Sequence, residues 1–408
     1  MTAPNLFMLV VDSLRADAVY DSRAPTPNLD ALAARGASFH QCISTTTTTT
    51  PSFSSMLTGC FPPKHGVRGL KGYRLSPQVK TMAEIFSEAG YHTYAEVTGP
   101  LLPETGVLRG FQVANHRQGY RAPFFGWSDE VVSKMRGYEE PWLMLLHIWE
   151  VHRPFRPPPD HTKRWDRAGY EGVVTASDER LLPILDAAGD AIILITGDHG
   201  EQYPDTPLKR LGNKVTRRAR RVLKAGKWWP WLDRKLTAQS VGHGFALYEH
   251  LIRVPLIMTG PSVNHATIDE QVRHVDIFPT LADLCGVPIP QGIDGRSLRP
   301  LLEGGSLPEE PAYLEAVGIK LGGDRITGIR TSDWKLLKPG SARPALYKLT
   351  GEDASPDKRN LYARYPEIAH GLEERMQSIS ITEAVDASGM TTEEEAIVEQ
   401  HLKDLGYL

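Results

Sequence analysis

Cysteine is scarce: Cys42, Cys60 and Cys285 are the only three in 408 residues, and their separations match neither a metal-ligand spacing nor a disulfide framework. That pattern agrees with a reducing compartment, and the cytoplasm is the expected location. Long apolar runs are missing as well. The first, over residues 5–11, leads straight into Asp12 with no cationic stretch before it, so it reads as a buried strand and neither as an export signal nor as a membrane span. There are no internal repeats. Charge is nearly balanced, with 46 Lys and Arg against 49 Asp and Glu and a formal net charge of -3. A chain so balanced exerts no global pull on nucleic acid, no nucleic-acid partner is expected, and any electrostatic message must be local.

With 41% hydrophobic residues the chain can bury a large core, and one large α/β unit with an appendage suits its length. Continuous apolar runs at 5–11, Trp142 to Trp149 and Ala191 to Thr196 have the character of parallel strands buried on both faces. Between them lie helical patterns. Thr26-Pro27-Asn28 opens an amphipathic helix with Leu29, Leu32 and Ala33 on one side, and Thr81 to Ala89 is a second helix, ended by Gly90.

The chain is organised around the hydroxyl-rich stretch Thr45 to Thr50, closed by Pro51 and followed by a helical segment through Leu57-Thr58-Gly59. Helix N-termini leave N–H groups unpaired and carry partial positive charge, which favours a tetrahedral anion. Asp12 stands at the carboxyl end of the first strand, where ligand-binding residues of open α/β sheets gather. Asp198-His199-Gly200-Glu201 follows the strand ending at Thr196, and an Asp with a His supplies oxygen and nitrogen donors that a divalent transition metal accepts.

The phrases from Asn5 to Asp17, Thr26 to Ala33, Leu57-Thr58-Gly59 and Asp198-His199-Gly200-Glu201 occur in the order found in the sulfatase-like branch of the alkaline phosphatase superfamily, which this chain resembles from Asn5 to its last residues. The resemblance implies a three-layer α/β fold with a mostly parallel sheet and a small antiparallel C-terminal subdomain. The expected units are 1–310, 311–385 and a final helical segment 386–408. Sulfatases carry Cys/Ser-x-Pro-x-Arg at the turn and oxidise its first residue to formylglycine. Aligned on Leu57-Thr58-Gly59, this chain has Thr49 at that position and Phe53 in place of the Arg. Oxidation of Thr would give a ketone, so an unmodified Thr49 nucleophile is expected, as in phosphodiesterase and phosphotransferase members. Cys60-Phe61-Pro62-Pro63-Lys64 imitates the sulfatase motif but lies beyond it, in an ordinary loop.

By the same resemblance Asp12, Thr49, Asp198 and His199 hold one divalent metal ion, manganese or zinc ahead of calcium or magnesium. Ser13 replaces a second family Asp. Whether a second ion enters through Glu150, His152 or His243 stays open. His152 and His243 are expected to contact the transferred group or protonate the leaving oxygen, and Lys64, His65 and Glu150 to touch substrate. The expected substrate is an anionic ester: a phosphoester, phosphodiester favoured, cleaved or transferred through Thr49. Two rivals are a sulfate-ester hydrolase working without formylglycine and an inactive anion- or membrane-binding module.

An insert, 203–241, separates Asp198-His199 from Gly242-His243. Its residues 209–235 hold eleven Lys or Arg against Asp233 alone, beside Trp228, Trp229 and Trp231. Such a run is either a solvated basic helix or a patch drawn to an anionic membrane with Trp at the interface.

Overall fold

A computed structural model of the chain describes residues 3–117, 127–158, 169–203, 242–318, 325–340, 343–352, 354–381 and 390–408. The basic run 209–235 lies outside these residues. So does most of the segment leading into 390–408.

Strand β1 (Leu6–Val11) is buried at every position. Because successive strand side chains point to opposite faces, its six residues divide between two cores. Leu6, Met8 and Val10 join Phe53, Leu57, Phe86 and Phe278 on one side. Phe7, Leu9 and Val11 join Leu29, Val131, Tyr170 and Ile184 on the other. The strands at Trp142–Ile148 (β5) and Ile192–Gly197 (β6) divide in the same way. This is why these three segments read as unbroken apolar runs. Each fully buried Leu, Ile or Val contributes about 1.5–3 kcal/mol, so the middle of the sheet is the most strongly held part of the fold.

Five more strands complete the sheet: β2 (Ala37–Ile43), β3 (His92–Val97), β4 (Val113–His116), β7 (Arg253–Thr259) and β8 (Ala266–Arg273). Their order is β4-β3-β5-β1-β6-β7-β2-β8. Only β7 runs against its neighbours β6 and β2, and every other pairing is parallel. Helices Thr49–Thr58, Met82–Glu88 and Ile277–Leu284 cover one face, and Pro27–Arg35, Trp127–Met135 and Gly169–Ala187 the other. The expected three-layer α/β architecture is therefore present. In the register Val11 lies opposite both Ile148 and Gly197, so the segments that leave β1, β5 and β6 emerge side by side at one edge.

The small antiparallel subdomain expected over 311–385 contains a separate antiparallel sheet, β12-β11-β10-β9, from Ala312–Ala316 (β9), Ile326–Arg330 (β10), Trp334–Pro339 (β11) and Ala345–Lys348 (β12). It is joined to the Thr run by the Glu315 amide, which donates to the Thr45 carbonyl at 2.9 Å. Helix Thr392–Asp404 begins with a capping box, Thr391 and Glu394 exchanging hydrogen bonds. It then docks back on the main unit: Val398 and Leu402 pack against Leu70 and Leu102, and Glu394 pairs with Arg74 at 2.7 Å. No helix among the described residues is long and apolar enough to cross a membrane.

One buried polar residue gives the fold a pH dependence. His65 is fully buried; its Nε2 donates to Ser55 Oγ at 3.0 Å and its Nδ1 accepts from the Val67 amide at 3.1 Å. Burial, aided by the nearby Arg68 charge, pushes its pKa down to about 3. A histidine held below its unfolded value of about 6.5 contributes its full stability above that pH and loses it progressively as pH falls toward 3. In chemical denaturation at pH 7.5 and pH 5, His65→Asn, which keeps an acceptor near the Val67 amide, should lose less stability between the two pH values than the parent chain. An equal loss would mean that His65 is not a source of the acid sensitivity.

Candidate active site

At the shared edge, Asp12 follows β1, Asp198 and His199 follow β6, and the 149–153 segment follows β5. Asp12, Asp198 and His199 are fully buried, and one ligand atom from each lies within 4.8 Å of the others. Ser13 orients both carboxylates. Its hydroxyl donates to Asp12 Oδ1 at 2.7 Å and its amide to Asp198 Oδ1 at 2.9 Å, with the backbone at φ 61°, a conformation a non-glycine residue seldom takes. The residue that stands where sulfatases have a further Asp therefore positions two carboxylates.

The Thr run enters from β2. Asp198 is also gripped by its carbonyl, which accepts from Ser44 Oγ and Ser52 Oγ, both at 2.6 Å, so the loop before helix Thr49–Thr58 and the helix itself are anchored to it. Thr48 is the N-cap in an extended conformation, Thr49 the first helical residue, and Gly59 ends the helix at φ 67°. Thr49 Oγ1 donates to Asp12 Oδ2 at 3.2 Å and lies 3.5 Å from His199 Nε2. Thr50 turns away, donating to the Pro100 carbonyl at 3.0 Å. Of the two threonines before Pro51, only Thr49 meets the Asp–His group in these contacts.

Electrostatics follow from burial and crowding. Burial tends to raise Asp12, but His147, His152 and His199 outweigh it and hold the carboxyl well below its usual range. Asp198 is pushed up to about 6, by burial and then by the Asp12 charge. His199 is raised despite burial, because Asp198 and Asp12 face it. Its Nδ1 donates to the Gly200 carbonyl at 2.8 Å, which turns Nε2 toward the carboxylates. Asp198 Oδ2 is buried with no hydrogen-bond partner, an arrangement that is costly unless a cation completes it. The donor set therefore fits a divalent metal ion, consistent with Asp12, Asp198, His199 and the Thr49 hydroxyl acting together.

A second group adjoins the first. His152, Glu201 and His243 also bring ligand atoms within 4.8 Å of one another, and the rings of His199 and His243 have centroids 4.2 Å apart. Burial drives His152 down to about 4 and His243 well below its usual value. Glu201, fully buried, is pushed up to about 7 by desolvation although Arg153 and His199 oppose it. Gly242 is required where it is. It sits at φ 128°, a backbone conformation in which a side chain is strained.

Three residues expected to touch substrate make contacts within the protein. His65 has both ring nitrogens committed within the protein, as described above, so it braces helix Thr49–Thr58 through Ser55 and is not a ligand contact. The Lys64 ammonium lies 3.7 Å from Asp294. Glu150 accepts from Arg117 at 2.9 Å and from the Trp149 amide at 3.0 Å. Phe53, at the position of the sulfatase Arg, packs edge-on against His147 with centroids 4.9 Å apart.

Sequence reasoning missed three residues. His147 donates from Nδ1 to the Thr98 carbonyl at 3.0 Å, leaving Nε2 3.7 Å from Asp12 Oδ2; a histidine inside an otherwise apolar strand was its only signal. Glu201 was visible as the last residue of Asp198-His199-Gly200-Glu201 and received no role. Tyr407, half-buried, brings its hydroxyl within 3.0 Å of His152 Nε2, and nothing local in the sequence marks it.

Fold and site together describe a hydrolase of the sulfatase type. The family model described as Sulfatase matches residues 4–287, and the chain belongs to that family. The model described as N-sulphoglucosamine sulphohydrolase, C-terminal, matches residues 243–382. An ulvan-active sulfatase from Formosa agariphila is 23% identical over 382 residues, covering 78% of this chain and 68% of that protein. Phosphonate monoester hydrolase from Silicibacter pomeroyi superposes with a TM-score of 0.70 at 18% identity, covering 96% of this chain and 98% of its own. A protein solved in complex with its substrate D-glucosamine-2-N,6-O-disulfate gives 0.71 at 18% identity, over 93% and 98%.

Calorimetric titration of metal-stripped protein with Mn²⁺ distinguishes ligands from bystanders. Asp198→Asn should weaken the affinity beyond the roughly 10–100-fold that loss of a supporting residue costs. Lys64→Ala should leave it unchanged. Equal affinities for Asp198→Asn and the parent would remove Asp198 from the metal group.

Proposed function

We propose that this protein is a metal-dependent phosphoester hydrolase or phosphotransferase, with phosphodiesters favoured, and that Thr49 is its nucleophile. The observation that carries the reading is the Thr49 hydroxyl at the first position of a helix, hydrogen-bonded to Asp12 Oδ2 and beside His199. A secondary alcohol cannot become the aldehyde on which formylglycine sulfatases depend. A phosphonate monoester hydrolase among the solved structures of like fold agrees with chemistry at phosphorus in such a frame.

A divalent cation held by Asp12, Asp198 and His199, manganese or zinc by the mixture of oxygen and nitrogen donors, would lower the pKa of the Thr49 hydroxyl and withdraw charge from a substrate oxygen. Asp12 Oδ2, which accepts the Thr49 hydrogen bond, positions Oγ1, and the hydroxyl so acidified would release its proton to water as Oγ1 attacks phosphorus. The ester oxygen leaves opposite, on the side of His152 and His243, and takes up a proton from water, and Thr49 carries the phosphoryl group. Water or an acceptor alcohol then attacks phosphorus, and the Thr49 oxygen departs and recovers its proton. The N–H groups at the start of helix Thr49–Thr58 favour the anionic group throughout.

Sulfate-ester hydrolysis is the second reading, favoured by the ulvan-active relative. One assay separates the two: initial rates on matched aryl phosphate monoesters, phosphodiesters and sulfates at equal metal loading. Faster cleavage of the phosphodiester is expected, and faster cleavage of the sulfate would overturn the proposal. Thr49→Ala should lower the rate at least about a thousandfold, as loss of a nucleophile does, and Thr50→Ala only mildly. If the two exchange effects, Thr50 is the nucleophile.

A further inference from the structure

We propose that the ring of Tyr407 closes the leaving-group side of the pocket and makes the enzyme select esters of compact alcohols over esters of bulky ones. The residue is delivered by the way its helix ends. Gly406 donates its amide to the Lys403 carbonyl and Tyr407 donates its own to the Leu402 carbonyl, both at 2.9 Å, with Gly406 at φ 79°. These are the two bonds of a Schellman motif, whose left-handed residue a glycine supplies without strain. The chain therefore leaves the helix axis at Gly406 and carries Tyr407 to His152. The helix itself is held in place: Val398 and Leu402 pack with Leu70 and Leu102, Tyr407 packs against the same cluster, and His401 donates to the Gly99 carbonyl at 3.0 Å.

Three rings surround that of Tyr407, with centroids 5.6 Å away at His152 and 6.0 Å at both Trp149 and His243. The hydroxyl adds direction. His152 Nδ1 lies 3.1 Å from the Arg153 carbonyl, which can only accept, so Nδ1 carries the proton and Nε2 presents a lone pair. Tyr407 donates to that Nε2 at 3.0 Å. Trp149 has no room to retreat, because Gly99 lies so close that a Cβ there would run into the indole ring. Burial, and then the charges of Asp12, Asp198 and Glu201, raise the Tyr407 phenol well above its usual value. The hydroxyl is thus a neutral donor within electrostatic reach of the reacting centre.

In-line displacement puts the leaving oxygen opposite Thr49. Successive contacts run from Thr49 through His199, His243 and His152 to Tyr407, so a substituent on the leaving oxygen grows toward the Tyr407 ring. A compact alcohol stops short of it. A bulky one must push aside a ring that is bonded at its hydroxyl, packed on its neighbours and fixed at its backbone, and close-packed side chains yield little to added volume.

This inference rests on the proposed function only for the side on which the ester oxygen leaves. The test measures kcat and KM of the full-length protein on phenyl and 4-tert-butylphenyl esters, whose phenols are similar in acidity and differ in bulk. The esters are of whichever class, phosphodiester or sulfate, the parent cleaves faster, so a preference for sulfate would overturn the phosphoester reading and leave this test standing. The parent should favour the phenyl ester in kcat/KM by at least about tenfold, the scale on which a pocket wall rejects excess bulk. Tyr407→Ala should raise kcat/KM for the bulky ester roughly tenfold, chiefly through KM, and leave the phenyl ester within about threefold of the parent. Tyr407→Phe keeps the ring and should keep the parent's ratio. Tyr407→Trp adds bulk and should widen the ratio, which frees the test from the folding of the truncated variant. A parent indifferent to bulk, an unchanged ratio in both Tyr407→Ala and Tyr407→Trp, or a Tyr407→Phe that behaves as Tyr407→Ala would overturn the proposal. So would an equal loss on both esters in Tyr407→Ala, which would make the residue a structural support.

Discussion

Two carboxylates are brought side by side in a dry place, and much of the molecule is arranged to make that tolerable. Asp12 and Asp198 sit at the ends of adjacent parallel strands whose register places Val11 beside Gly197, and both are fully buried. Like charges so close in low dielectric cannot both persist without compensation. Ser13 spends its hydroxyl and its amide on them, His147 and His199 turn ring nitrogens toward them, and Asp198 Oδ2 is left for a cation. The sheet imposes the crowding, and the ligand group follows from it.

The same constraint explains the part played by the Thr run. Its hydroxyls are not interchangeable: Ser44 and Ser52 hold the Asp198 carbonyl, Thr45 bonds Ser55, Thr50 bonds the Pro100 carbonyl, and Thr49 alone of the run reaches Asp12 in these contacts. Small polar side chains let the loop pack against the site with its hydroxyls bonded. Phe53 lies one turn further along the helix and packs on His147. Phe53 thereby supports the histidine beside Asp12.

The docked C-terminal helix extends the pocket. Its capping box and its ion pairs to Arg74 and Lys71 fix its direction, and His401 donates to the Gly99 carbonyl at 3.0 Å. Tyr407 consequently arrives at His152. A segment that reads as an appendage thus supplies part of the wall around the histidine pair.

By itself the sequence determined the strands and the residues at their tips. The apolar runs of β1, β5 and β6 are legible because burial on both faces removes alternation, and Asp12, Asp198 and His199 are legible because polar residues directly after such runs interrupt a strong pattern. Thr49 was singled out by the resemblance to sulfatases, aligned on Leu57-Thr58-Gly59. The tertiary structure decided what depends on which strands become neighbours. His147 faces Asp12 only because β5 pairs with β1. His65, in a phrase that resembles a substrate contact, is consumed by Ser55 and Val67. Glu201 acquires its companions from residues far along the chain in either direction, and Tyr407 from a helix that folds back over the main unit. Local patterns record what one segment must bury, whereas a site assembled from six segments is set by register and packing, which no single segment encodes.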